Sequence, residues 1–154
     1  MQRPRLEGDR VGSRWWYWIA AIPTVFAFWL VTVAWVALAI SLEPGLLDGP
    51  GFGDDPISNA AVISLVAVGV PFVALTAIFP LAVFQDSHAI DRAAVEWEPP
   101  GGSYALLALG GWLVGGAVGL LLVDLSMAII AGFAASVPFA VYYLERRHEH
   151  LGVP

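Results

Sequence analysis

Histidine and carboxylate side chains occur together in one polar segment, where they could perform chemistry. Asp86, His88 and Asp91 lie close together in the sequence. Imidazole and carboxylate groups can bind a transition metal or transfer protons. These three residues are the candidates for an enzyme acting at a membrane surface, although no recognisable catalytic motif accompanies them.

A second group of such side chains lies near the end of the sequence. His148 and His150 stand beside Glu145 and Glu149. The two histidines are two residues apart, and that spacing does not place both on one helical face. We therefore expect a solvated tail. No serine or threonine stands in a nucleophile motif, and no glycine loop follows a strand. The sequence thus predicts no catalytic residue, no cofactor and no metal.

The composition explains why a soluble enzyme is not expected. Of the 154 residues, 58% are hydrophobic and 13% are charged. A soluble domain has about 45–50% apolar residues and about 25% charged residues. Cysteine and lysine are absent, and seven arginines oppose thirteen acidic residues for a net charge of −6. These values exclude a soluble enzyme, a disulfide-stabilised secreted domain, a thiolate metal site and a general nucleic-acid binder.

Four stretches are long and uncharged enough to cross a bilayer, which requires about 20 apolar residues. They cover residues 15–42, 57–84, 103–123 and 125–144. Each must satisfy its own backbone hydrogen bonds in lipid and is therefore predicted to be a helix. We predict an all-α integral membrane protein with four transmembrane helices, a tail over residues 1–14 and another over 145–154. No Asp, Glu, Lys, Arg or His side chain lies within the spans, which argues against an ion-coupled transporter.

The arginines predict the orientation of these spans. All seven fall before the first span, between the second and third, or after the fourth. Positively charged residues are retained on the cytoplasmic side, so both termini are predicted to be cytoplasmic, in the cell membrane. Ala37-Leu38-Ala39 resembles a signal-peptide cleavage site, but the preceding apolar run is longer than such peptides use.

The inner connection, residues 85–98, has an amphipathic pattern. On a helix Ile90, Ala93, Ala94 and Trp97 would share one apolar face. The segment could lie on the membrane surface, with Asp86 or Ser87 capping a new helix, or it could extend the second span. Both alternatives remain open from the sequence.

The remaining connections are short or acidic. Between the third and fourth spans we predict a tight turn at residues 124–126, with Asp124 or Ser126 capping the fourth helix. The outer loop contains Asp48, Asp54 and Asp55. Their spacing matches no calcium-binding loop, so we predict a solvated loop.

Glycines of the third span form its strongest packing signal. Gly111, Gly115 and Gly119 are four residues apart, with Gly110 and Gly116 beside them. Such a groove allows another helix backbone to approach closely. Packing against the fourth span is the favoured interpretation, and an interface with a second copy or another membrane protein is the alternative.

Two segments carry a family resemblance. They are Phe84, Asp86, Asp91, Trp97, Pro99 and Tyr104, followed by Tyr142-Tyr143-Leu144, Arg146-Arg147-His148, His150, Gly152 and Pro154. This pattern resembles uncharacterised small multi-pass membrane proteins of extreme halophiles, of the haloarchaeal type, and departs from it at Glu145. The absence of lysine and the acidic balance fit that origin. The resemblance implies no activity, cofactor or site.

The sequence therefore favours a non-enzymatic multi-pass membrane protein, such as an accessory or assembly subunit. The alternative is a small transporter or channel formed by oligomerisation. The expected partner is the lipid bilayer, with a homo-oligomer or a membrane protein partner left open and no nucleic acid expected. Gly115→Leu is expected to disturb packing or assembly.

Overall fold

The computed structural model of the chain describes residues 11–42, 56–123 and 125–152. Helices occupy most of these residues, and no strand occurs within them. In chain order the helices are α1 (Trp16–Leu42), α2 (Pro56–Arg92), α3 (Gly101–Leu122) and α4 (Leu125–Leu151). The all-α class predicted from the sequence is confirmed for this part of the chain.

Length and apolar composition qualify three of the described helices to cross a membrane. These are α1, α3 and the Met127–Leu151 part of α4. In α2, Asn59–Leu75 and Ala77–Arg92 meet the criterion only together, as one span with a break between them. Pro80 lies four residues after this break and has no N–H to donate to the carbonyl group of residue 76. The described chain thus has three candidate spans, or four if α2 crosses as one.

Large apolar side chains lie on the outer surface of the helices. Near the end of α3, Leu121 is 84% exposed and Leu122 is 77% exposed. Soluble monomers rarely expose large contiguous apolar patches, because water disfavours them. The exposed leucines support a membrane environment for α3.

The chain forms two compact units, and each has its own packing. The smaller unit is Thr24–Ala74. Its core contains Val36, Ala39 and Ala61. The rings of Trp29 and Phe72, also in this unit, lie 6.0 Å apart. Apolar packing between the later part of α1 and the first part of α2 therefore holds this unit together.

The larger unit comprises Met1–Pro23 and Leu75–Pro154. It contains the first turns of α1, the second part of α2, and all of α3 and α4. Phe79 and Phe133 are fully buried in it. The ring of Phe79 meets that of Phe139 edge-on at 6.2 Å, joining α2 to α4. Asp86, Ser87, Tyr143 and Arg147 all belong to this unit.

Two helices continue beyond the ends of the predicted spans. α2 runs without interruption through residues 85–92, and α4 runs from residue 145 to Leu151. Of the two alternatives left open for residues 85–98, extension of the second span therefore holds as far as Arg92, and no helix restarts at Asp86 or Ser87. Both side chains lie inside a continuous helix, and the Asp86 carboxylate is bound by distant residues instead.

The connection between α3 and α4 is short. α3 ends at Leu122, and the Val123 N–H donates to the Gly119 carbonyl at 3.0 Å. Ser126 is the second residue of α4, past the N-cap position that immediately precedes the helix. Asp124 lies outside the described residues, as do Asp48, Asp54 and Asp55 of the predicted outer loop.

Candidate functional site

A buried ion pair joins α2 to α4 in the larger unit. The Arg147 Nε lies 3.0 Å from Asp86 Oδ2, and the two side chains are 4% and 0% exposed. Charged side chains are almost never fully buried unless they are paired. The sequence separation of 61 residues means that only the fold brings these two charges together.

Two hydroxyl groups complete this arrangement. The Tyr143 hydroxyl donates to Asp86 Oδ2 at 3.0 Å, and the Ser87 Oγ lies 3.2 Å from the Tyr143 oxygen. Because the single phenolic proton points to the carboxylate, the Ser87 hydroxyl donates to the Tyr143 oxygen. We call Asp86, Ser87, Tyr143 and Arg147 the polar cluster.

Aromatic rings surround the polar cluster. The Tyr143 ring lies 5.9 Å from that of Tyr104 in α3 and 6.1 Å from that of Trp97. The Arg147 guanidinium carbon lies 5.6 Å from the centre of the Trp16 ring in α1. That distance is within the range of cation–π attraction. The polar cluster therefore contacts every helix represented in the larger unit.

The chemistry available to the polar cluster is limited by its own contacts. Asp86 Oδ2 accepts from both Arg147 and Tyr143, which stabilises the charged carboxylate. Asp86 Oδ1 is buried and has no hydrogen-bond partner in the described part of the chain. A carboxylate held in this way fixes helix positions, and its charge is already balanced by Arg147.

The three residues first considered for catalysis do not converge. His88 and Asp91 line a cavity of about 280 Å³ together with Ser87, Glu98 and Pro99–Gly102. Asp86 is buried in the polar cluster and does not line this cavity. Within residues 11–42, 56–123 and 125–152, no group of three His, Asp or Glu side chains is placed to hold a metal ion. We call the cavity lined by His88 and Asp91 the acidic cavity.

The two histidines near the end of α4 also have separate surroundings. The His150 ring stacks on Trp97 at 5.0 Å, and its Nδ1 lies 2.7 Å from the Arg146 carbonyl oxygen. His148 is exposed. Arg146 and Glu149 form an exposed ion pair at 3.1 Å on the same helix. These contacts order the last turns of α4.

The glycine groove of α3 lies against α4. A methyl carbon added at Gly115 would lie 2.6 Å from the Ala131 carbonyl oxygen, and one at Gly119 would lie 2.5 Å from that of Met127. The spacing is less tight at Gly111, with 3.6 Å to the Ala135 oxygen, and at Gly116, with 3.4 Å to the Ala128 oxygen. Gly110 has no such neighbour within 4 Å.

The residues predicted to form an inner amphipathic face do not share a helical surface. α2 ends at Arg92, so only Ile90 is helical; Ala93 and Ala94 form a turn, in which Ala94 has a φ of 50°. Ile90 is buried with Val11, Val95 and Leu151, while Ala93 and Trp97 pack against that core and Ala94 is exposed. The apolar positions are therefore used largely to join both chain ends to α2.

Sequence reasoning missed the polar cluster. The sequence indicates Asp86 only for capping or metal binding and Arg147 only for orientation, and it links Tyr143 to neither. A signal was nonetheless present, because an acidic and a basic residue each stand within three residues of the end of an apolar span. Both ends were predicted on the same membrane side, where such charges can pair.

No protein-family model, curated protein or solved structure matches the chain.

Proposed function

We propose that the chain is a non-enzymatic multi-pass protein of the cell membrane, with four spans and both termini cytoplasmic. In this proposal it acts as an accessory or assembly subunit. The observation that carries the proposal is the mutual neutralisation of Asp86 and Arg147. The charges buried in the described chain are used to join helices, and apolar surfaces are left for lipid or another membrane protein.

The proposed orientation is supported by residues that meet in the larger unit. Val11, before α1, and Leu151, at the end of α4, belong to one buried core. Arg14 and Arg92 line one cavity. Two chain ends on the same side of a membrane can make such contacts, and arginines near span ends favour the cytoplasmic side.

The non-transporting role is supported by the hydroxyl groups within the helices. Thr32 Oγ1 donates to the Phe28 carbonyl oxygen at 2.9 Å, and Ser64 Oγ donates to that of Ala60 at 2.7 Å. Ser136 makes the equivalent bond to Gly132 at 3.0 Å. Each of these hydroxyls forms its hydrogen bond within its own helix, as polar groups in an apolar environment must.

The resemblance to haloarchaeal membrane proteins forms part of the same proposal. Its support is the acidic net charge of −6 and the absence of lysine. In molar salt the Debye length is about 3 Å, so surface acids would hydrate the loops rather than steer distant partners.

Extraction in native nanodiscs followed by flux measurements tests the proposed role. We expect the tagged chain to retain one membrane protein in fixed stoichiometry, and the pure chain in liposomes to give no ion flux above empty liposomes. Gly115→Leu, which disturbs α3 against α4, should reduce retention. A symmetric homo-oligomer that conducts ions would instead establish the channel alternative.

A further inference from the structure

An open cavity of about 530 Å³ lies between the residues that precede α1 and the last turns of α2. Its size falls within the range of about 300–1,000 Å³ typical of small-molecule sites. It is separate from the polar cluster and from the acidic cavity. Its lining consists of Gly12, Ser13, Arg14, Trp15, Gln85, Ala89, Arg92 and Ala93. We call it the arginine cavity.

The charge of the arginine cavity is entirely positive among the described residues. Arg14 and Arg92 are exposed, and none of the described lining residues carries a carboxylate. Neither arginine forms an ion pair with a carboxylate in the described part of the chain, whereas Arg146 and Arg147 both do. Two guanidinium groups that have no carboxylate partner among the described residues favour the binding of an anion here.

Two sides of helix α2 carry different polar residues, and each side lines a different cavity. Gln85, Ala89 and Arg92 face the arginine cavity, at spacings of four and three residues that keep them on one side of a helix. His88 and Asp91 face the acidic cavity instead. The Arg92 Nε donates to the His88 carbonyl oxygen at 3.2 Å, which orients the guanidinium.

The rest of the wall is suited to an amphipathic ligand. Trp15, Ala89 and Ala93 supply apolar surface, while Ser13 and Gln85 supply polar groups. The backbone N–H of Trp15 donates to Ser13 Oγ at 3.2 Å, which fixes the chain just before α1 begins. Tryptophan is enriched at the level of lipid headgroups because its ring is both apolar and polar.

We propose that the arginine cavity binds a phosphate group, supplied by the headgroup of an anionic phospholipid. Guanidinium groups bind phosphate oxygens through paired, charge-assisted hydrogen bonds. Basic pockets between membrane helices on the cytoplasmic side bind lipid headgroups in this way. The lipid source rests on the membrane placement proposed above; the phosphate chemistry rests on the cavity itself.

Native mass spectrometry of the full chain in mild detergent tests this proposal. Phosphatidylglycerol and phosphatidylcholine with identical acyl chains are the two probes. We expect the chain to retain phosphatidylglycerol preferentially, and Arg14→Gln with Arg92→Gln to lower that affinity at least about tenfold, since two charge-assisted sets of bonds are lost. Arg146→Gln removes one positive charge outside the cavity and should change the affinity less than about twofold.

Further arms distinguish the possible sources of the phosphate and the possible failures. Inorganic phosphate that binds alone, displaces the lipid and depends on both arginines would support phosphate recognition and assign the ligand to the soluble phase. Equal retention of the two lipids, or equal loss in the double variant and Arg146→Gln, would overturn the proposal. If the double variant has a lower melting temperature than the Arg146→Gln variant, the single variant Arg92→Gln takes its place in the comparison of lipid affinities. Carbonate extraction of membranes tests the membrane placement independently, because it involves no lipid preference.

Discussion

At the scale of single residues, the polar cluster is held together by one carboxylate oxygen. Removing two charges from water costs several kcal/mol, and their attraction offsets this only when additional hydrogen bonds are present. Asp86 Oδ2 has such bonds, because it accepts from the guanidinium and from the Tyr143 hydroxyl. Loss of one charge should therefore be more harmful than loss of both.

Arg147→Met tests this asymmetry. The substitution leaves the Asp86 carboxylate buried without its cation and should lower the free energy of unfolding by about 3–5 kcal/mol. The double variant Asp86→Leu with Arg147→Met removes both charges and should recover most of that loss. Denaturation by SDS in mixed micelles measures each value. Additive losses in the double variant would show that the pair is not coupled.

Tyr143→Phe tests the hydroxyl contribution by itself. The variant keeps the ring against Tyr104 and Trp97 but removes a hydrogen bond to a charged group, a change of about 1.5–3 kcal/mol. Tyr142 is the matched control, because its side chain is exposed and the hydrogen bond that its hydroxyl accepts from Arg146 Nε is long, at 3.5 Å. Tyr142→Phe should change the stability by no more than about 0.5 kcal/mol. Indistinguishable unfolding curves for the two variants would contradict the role of the Tyr143 hydroxyl.

At the scale of elements, α3 and α4 approach closely because glycine leaves room for backbone contact. Membrane helices associate through such close packing, since lipid is as apolar as the helix surface. Gly115 and Gly119 face the carbonyl groups of Ala131 and Met127, which cannot move aside as a side chain can. The groove is therefore filled by α4 of the same chain.

Alanine substitution of the glycines should give effects of opposite sign. At Gly115 or Gly119 the added methyl group would overlap backbone and should destabilise the chain by about 1–3 kcal/mol. At Gly110 the space is open, so alanine should be neutral or stabilise the helix by up to about 1 kcal/mol. Unfolding free energies in detergent micelles check both values. An unaltered Gly115→Ala variant would be incompatible with the packing of α3 on α4.

At the scale of the whole molecule, the number and direction of the spans can be tested by labelling. The chain has no cysteine, so each introduced cysteine reports one position. With four spans and cytoplasmic ends, Asp54→Cys and Asp124→Cys should react with a membrane-impermeant maleimide in intact cells. Gly12→Cys, Glu96→Cys and Glu149→Cys should react only after permeabilisation. Reaction of Glu96→Cys in intact cells would show that α2 does not cross.

The sequence by itself determined the features that depend on local chemistry. Long uncharged runs define apolar helices regardless of what surrounds them, so α1 and α3 begin and end within two residues of the predicted spans. The spacing of Gly111, Gly115 and Gly119 likewise indicated a packing surface before its partner was known. The ends of α2 and α4 were harder to predict, because polar residues continue both helices.

Tertiary structure decided which distant side chains meet. Asp86 and Arg147 are separated by 61 residues, and no local pattern distinguishes a paired arginine from one that only sets orientation. The same holds for Arg14 and Arg92, which the fold places on one cavity, and for Ile90, which it buries against Val11 and Leu151. Helix formation depends on neighbours along the chain, whereas charge pairing and burial depend on neighbours in space.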